Sequence, residues 1–419
     1  MSKLEELIQQ YCPDGVEYKK LGDLGVFYGG LSGKTKEDFK DGNAKFISYK
    51  NVFYNLSLNI DTDERVKIEE GEKQNTVQYG DILFTGSSET PDECGMSSVL
   101  TQKTDEKLYL NSFCFGFRLH NPELFCPNFL KHLFRSSELR KQIGKTASGT
   151  TRFNVSKKRF AEVSIPILPL PIQEEIARIL DDFAELQAEL QAELQKRLQQ
   201  YNYYRDKLLT FNDLTGGGYA VSVEWKKLGD IATLIRGGNF QKKDFTDSGV
   251  PCIHYGQIYT HFGIHTTSTL KYISPDVASK SKIAKTNDIV MAITSENVED
   301  VGKCVAWMGD EDIAVSGHTA IIQHKQNAKY LSYYFHSSHF FTQKKRLAHG
   351  TKVIEISPKD LANVVIPIPP LAEQQRIVDI LDRFHALTTD ITAGLPAEIE
   401  ARRKQYEYYR DTLLTFKKK

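Results

Sequence analysis

No run of about 18 apolar residues occurs in the sequence, so no membrane-spanning helix is expected. The opening MSKLEELIQQYC is polar and helical in character and lacks the apolar core of a signal peptide. Cysteine is scarce: six residues, at positions 12, 94, 114, 126, 252 and 304, with no CxxC pair. That spacing argues against a disulfide frame or a zinc site and for reduced thiols in a cytoplasm. Net charge is also missing, with 54 basic residues against 54 acidic ones. A protein that coats nucleic acid through charge alone is therefore disfavoured, while local basic patches remain open.

Catalytic signatures are equally sparse. Gly29-Gly30-Leu31-Ser32-Gly33-Lys34-Thr35 resembles a phosphate-binding loop but has three residues between its outer glycines where that loop needs four. The second occurrence of this region, Gly237-Gly238-Asn239-Phe240, has no Gly-Lys-Thr. No Asn/Asp-Pro-Pro-Tyr/Phe segment is present to hold a base amine, and no Gly-rich loop suits S-adenosylmethionine. The triplets Glu17–Lys19 and Glu224–Lys226 have nuclease-like spacing but read more simply as structural strands. His336 and His339 lack a third ligand nearby. No catalytic residue and no metal site is expected.

What the chain does have is internal repetition. Val16-Glu17-Tyr18-Lys19-Lys20-Leu21-Gly22-Asp23 returns as Val223-Glu224-Trp225-Lys226-Lys227-Leu228-Gly229-Asp230. Val163-Ser164-Ile165-Pro166-Ile167 returns as Val364-Val365-Ile366-Pro367-Ile368. The segment 200–211 returns at 405–416 with ten of twelve positions identical. The 419 residues thus form a tandem duplication with a period of roughly 205. Similarity is high at the edges of each repeat and nearly vanishes through 25–160 and 233–350, as expected of one frame holding two different inserts. Each insert reads as α+β: short apolar runs such as Phe46–Tyr49, Asp81–Phe84 and Cys252–Tyr255, then helical stretches near 127–144 and 328–349.

From Pro171 an apolar stripe continues through Ile176, Leu180, Phe183, Leu186, Leu190, Leu194, Leu198, Tyr201, Tyr204 and Leu208. Gly216-Gly217-Gly218 is a good stop and linker. The leucines of the AELQ block recur every four residues, so the stripe drifts by roughly 40° per step and suits a short helix contact rather than a long coiled coil. The second repeat has a matching stripe, broken at Gly394-Leu395-Pro396, where two helices are expected. Basic clusters flank a glycine loop in each repeat. Arg140, Lys141, Lys145, Arg152, Lys157, Lys158 and Arg159 surround Ala147–Arg152, and Lys344, Lys345, Arg346 and Lys352 surround Ala348–Lys352. Small residues, hydroxyls and a cation in one turn suit phosphate contacts.

In the residues Ile165–Ile176 (IPILPLPIQEEI), Ile366–Ile377 (IPIPPLAEQQRI), the two YYRDxLLTF helix ends and GLPAEIEARR at 394–403, the chain resembles the specificity subunits of type I restriction-modification systems. The resemblance covers the whole chain in order. It implies an α+β, pseudo-two-fold tandem repeat: two mixed α/β target-recognition domains at 1–165 and 213–365, joined by long antiparallel-packed helices at 166–212 and 366–419. It also implies recognition of a bipartite double-stranded DNA site, two methylation subunits that use S-adenosylmethionine, and restriction subunits that use ATP and Mg. This chain itself would bind no cofactor.

The family match carries no base-contact residues, so the DNA-binding candidates are inferences from loops. They are Lys34, Thr35, Ser87, Ser88, Lys145, Gly149, Arg152 and Asn154 in the first repeat. In the second they are Arg236, Asn239, Gln241, His254, Gln257, Thr294, Ser295 and Lys352. Candidate partner-binding helix residues are Leu180, Phe183, Leu190, Leu194, Tyr204, Arg205 and Leu208, with Leu381, Phe384, Tyr409, Arg410 and Leu413. Two rival readings are a self-contained nuclease or methyltransferase, which lacks its motifs, and a scaffold whose inserts bind proteins.

Overall fold

The computed structural model describes residues 3–211, 222–389 and 394–419. The Gly216–Gly218 linker lies outside the described residues. The chain divides into two compact units, Met1–Gln191 with Glu398–Lys419, and Ala192–Ala397. Both are α+β.

The repeated edge peptides are each other's pairing partners. Glu17–Lys20 runs antiparallel to Ser164–Ile167, with Lys19 opposite Ile165. In the second unit Glu224–Lys227 pairs with Val365–Ile368, with Lys226 opposite Ile366. These two-stranded clasps close each insert at its base, which explains why the repeat survives there. The Glu17–Lys19 and Glu224–Lys226 triplets lie on these strands as ion pairs along one strand.

Inside the first insert a four-stranded antiparallel sheet runs in the order Gly25–Gly29, Cys114–Leu119, Ile82–Thr85, Ser97–Val99. Phe84, Phe117, Phe129, Phe134 and Phe160 are buried against it. The second insert has a five-stranded counterpart that includes Ala232–Arg236, Thr319–His324, Ile289–Ala292 and Cys304–Trp307. Its core is rich in tyrosine, with Tyr330, Tyr333 and Tyr334 buried and the Tyr330 and Tyr334 hydroxyls donating to the carbonyls of Pro367 and Val365. The late helix pairs are Pro127–Leu133 with Ser137–Gly144, and Ala328–Phe335 with Ser338–Leu347.

A buried glutamine ties each helix pair to the helix that follows. Gln173 accepts from the Cys126 N–H at 2.9 Å and donates to the Leu168 carbonyl, while Gln374 accepts from the Asn327 N–H at 3.0 Å and donates to the Pro369 carbonyl. The Gln of each repeated Pro-rich entry is thus the bond that orients the helix.

The helix Leu170–Thr210 is 41 residues long and ends with Phe211 at a left-handed φ of 55°. In the second repeat the helices are Leu371–Thr389 and Leu395–Leu413. Ile172, Ile176 and Leu180 are buried in the first unit, where Phe183 stacks on Tyr409 at 5.0 Å. Tyr201 and Leu209 are buried in the second, where Tyr204 stacks on Phe384 at 5.7 Å. Asp411 accepts from the Ser137 N–H, and Asp206 from the Ser338 N–H. Each insert is therefore closed by the start of its own repeat's helix and the end of the other's. Among the described residues no helix is long and apolar enough to cross a membrane.

Candidate nucleic-acid interface

Both glycine loops are hairpin tips. In the first unit Ala147–Ser148 pairs with Phe153–Val155, which in turn pairs with Ser87–Ser88. In the second, Ile354–Glu355 pairs with Thr294–Ser295. Gly149 has φ +150° and Gly350 φ +116°, and a Cβ on either would meet a carbonyl oxygen at 2.0 Å, that of Arg152 or Val353. Only glycine fits.

The first hairpin borders an open cleft of about 670 Å³ lined by Tyr49, Lys50, Phe53, Tyr54, Ser87, Ser88, Glu89, Glu93, Phe113, Thr151 and Arg152. Arg152 forks onto the Ser87 hydroxyl, with Nε at 3.1 Å and Nη2 at 2.9 Å, and its guanidinium lies 5.5 Å from the centre of the Phe113 ring. The Tyr49 hydroxyl donates to the Ser87 carbonyl at 2.8 Å. Tyr54 and Phe113, which both line this cleft, are exposed by 73% and 58%.

The second unit uses the same frame with other side chains. The Tyr259 hydroxyl donates to the Thr294 carbonyl, and Thr294 Oγ1 is 3.0 Å from His318 Nδ1. The His318 ring lies 5.0 Å from that of Tyr255. Arg236 pairs with Glu355 at 3.0 Å.

The structure brings together Ser87, Ser88, Gly149, Arg152 and Asn154 on the first hairpin and its partner strand, with Lys145 exposed at the foot. Thr294 and Ser295 form the equivalent strand in the second unit, Lys352 is exposed at the tip, and Asn239 is exposed in the turn beside Gly317.

Several candidates need correction. Lys34 is tied to Glu72 at 2.6 Å with its side chain 8% exposed, so its charge is already neutralised. Thr35 caps the short 3-10 turn Lys36–Phe39 through Asp38. Gln241 caps Lys242–Asp244 in the same way. His254 is buried, accepts from the Gly256 N–H at 3.2 Å, and burial, helped by Lys242, pushes it down to about 4. Gln257 accepts from the His254 N–H at 2.8 Å and completes that cap. All five make local structural contacts, and of them the Lys34 side chain and His254 are withdrawn from solvent.

The basic stretch also divides. Arg140 is sequestered on the carbonyls of Asp92, Cys94 and Gly95, and Lys344 on those of Glu299 and Val301. On the helices, Leu180 and Leu381 are core residues rather than partner-facing ones, and Arg205 and Arg410 bridge to Asp206 and Asp411. Phe183, Leu190, Leu194, Leu208, Phe384 and Leu413 are half-buried, and Tyr204 and Tyr409 keep a partly exposed ring. More open are Tyr203 and Tyr408, 59% and 67% exposed, which the stripe did not include. Sequence reasoning also missed Tyr49, Tyr54, Phe113, Tyr255 and His318. Phe113 and His318 occupy the same place in the two frames, but they differ in identity, so comparison of the repeats could not single them out.

The model of the type I restriction modification DNA specificity domain matches residues 13–200 and again residues 221–401. The chain belongs to the type I restriction-modification DNA specificity family. The two matched stretches are the two repeats of this specificity chain. It is 38% identical over 263 residues to the specificity subunit of the type I restriction enzyme EcoR124I/EcoR124II of Escherichia coli, a match covering 60% of this chain and 61% of that relative. The match therefore spans less than two thirds of that relative's length. A putative type I restriction enzyme specificity subunit of Haemophilus influenzae is 33% identical over 282 residues, covering 64% of this chain and 68% of the relative. A solved chain from a type I restriction-modification system shares the fold, with a TM-score of 0.60 at 18% identity, covering 96% of this chain and 98% of that one.

Proposed function

We propose that this specificity-family chain reads a bipartite, gapped double-stranded DNA site in the cytoplasm, residues 1–165 reading one half and 213–365 the other. The helices between and after them hold the half-sites at a fixed spacing. Two adenine-methylation subunits and ATP-dependent restriction subunits dock on the chain and perform the chemistry. S-adenosylmethionine, ATP and Mg act on those subunits, and this chain is non-catalytic.

The observation that carries the reading is the pair of equivalent frames of clasp, hairpin and partner strand, which carry Arg152, Phe113 and Tyr54 beside the cleft of one unit and His318, Tyr255 and Arg236 in the other. Unlike linings on a like frame suit two unlike half-sites. Exposed Lys145 and Lys352 suit the flanking phosphates.

The test is adenine methylation mapped across a genome in cells that co-express this chain with the methylation subunit of its own system. A new gapped motif that vanishes when the chain is omitted is the expected result. A stable, S-adenosylmethionine-competent complex that marks no motif would overturn the reading.

A further inference from the structure

Ser87 and Thr294 occupy the same position in the two frames, and each hydroxyl holds a different exposed side chain against an aromatic ring. In the first unit that side chain is Arg152, over Phe113. In the second it is His318, beside Tyr255. We infer that Arg152 and His318 are the specificity-determining side chains of the two readers, with Arg152 selecting a guanine. The inference rests on the DNA-reading function proposed above.

The hydrogen-bond geometry gives the base. A guanidinium has five N–H donors in a rigid plane. Nε and one Nη2 hydrogen are spent on the Ser87 hydroxyl. The adjacent end edge, one hydrogen from each Nη, stays free and is turned about 120° from that anchor in the guanidinium plane. Two parallel donors match the O6 and N7 acceptors of guanine in the major groove. Anchoring at Ser87 and Phe113 fixes the plane before DNA arrives, so less side-chain freedom is lost on contact.

The cleft also argues against a phosphate as the occupant. Glu89 and Glu93 line it alongside Arg152, and Glu93 is held there by the Ser88 and Thr90 hydroxyls at 3.1 and 3.0 Å. Two carboxylates repel a phosphate but accept hydrogen bonds from base amino groups. Exposed Tyr54 and Phe113 offer apolar surface to a base edge. In the second unit His318 spends Nδ1 on Thr294, leaving Nε2 for one hydrogen bond to a base. One bond discriminates less than a fork, so the second half-site depends less on His318 than the first does on Arg152.

The experiment uses the chain assembled with its methylation subunits and an oligonucleotide panel that varies each position of the wild-type motif in turn. Arg152→Ala and Arg152→Lys are each expected to lose preference at a single guanine of one half-site by roughly ten- to a hundredfold, leaving the other half-site unchanged. His318→Ala is expected to relax one position of the other half-site by less than about tenfold. Lysine keeps the charge and loses the fork, so wild-type selectivity in Arg152→Lys would overturn the inference. So would a uniform loss on all sequences with the motif intact and a shallower salt dependence, which marks a phosphate contact. A wild-type complex with no bipartite motif would instead overturn the underlying reading, a result distinct from an intact motif indifferent to Arg152.

Discussion

Arg135 donates to the carbonyls of Phe53 at 2.8 Å and Ser97 at 2.6 Å, and reaches those of Val52 and Asn55. Burial, with Arg140 nearby, lowers it to about 10, so it stays charged at neutral pH and pins the helix Tyr49–Tyr54 that walls the first cleft. Arg135→Ala strands several carbonyls at once and should cost about 2–4 kcal/mol, read as a lower urea midpoint with an unchanged slope. His254 shows the opposite economy, a ring kept neutral by burial at about 4. A neutral buried imidazole stabilises fully above the unfolded value near 6.5, and the contribution is lost as pH falls from there towards 4. At pH 5 the loss from His254 should be about 2 kcal/mol. His254→Asn keeps an acceptor for the Gly256 N–H and removes this titration, so its stability should fall less steeply between pH 7 and 5. The remaining slope includes His324 and His336, also pushed down to about 4 by burial, and His132, His265 and His385, which burial lowers as well. A variant with the wild-type slope would show that His254 is not a source of acid sensitivity.

The 41-residue helix gives the first unit its opening turns and the second unit its closing ones. Its AELQ leucines, Leu186, Leu190 and Leu194, and Leu198 beyond them are half-buried, as a drifting stripe requires. Inserting one more AELQ lengthens the helix by about 6 Å and turns it by about 40°. With base pairs about 3.4 Å apart, the gap in the methylated motif should change by about one or two base pairs while both half-sites persist. Methylation mapping of the insertion variant checks this, and an unchanged gap would remove the helix as the ruler. The helix and the repeated edges were legible in the sequence because they depend on local periodicity and on peptides that pair with their own repeat. The cleft was legible only in part. The hairpin glycines follow from backbone sterics within one turn, but which cations are free depends on partners far along the chain. Lys34 meets Glu72, and Arg140 meets a loop more than forty residues earlier. No charge count along the chain could separate them from Arg152.

At the scale of the whole molecule, two repeats share their clasps and closing helices but not their inserts, so an insert should be exchangeable where the shared frame begins. Residues 25–160 are suitable limits. They lie inside the clasp Glu17–Lys20 with Ser164–Ile167, and they keep Phe160 with its packing partners Phe27, Phe84 and Phe115. The incoming insert must still meet the helices that close the first unit. Here His132 lies between Tyr406 at 2.9 Å and Asp181 at 2.6 Å, and Ser137 binds Asp411. A relative's insert with a histidine and a serine at these two places should dock without loss of stability, and the chimera's methylated motif should change in one half and keep the other. An insert without them should lower the melting temperature before it says anything about recognition, so thermal unfolding is measured first. If a stable chimera changed both halves together, recognition would not be divided between the two inserts, and the two units would have to act as one reader.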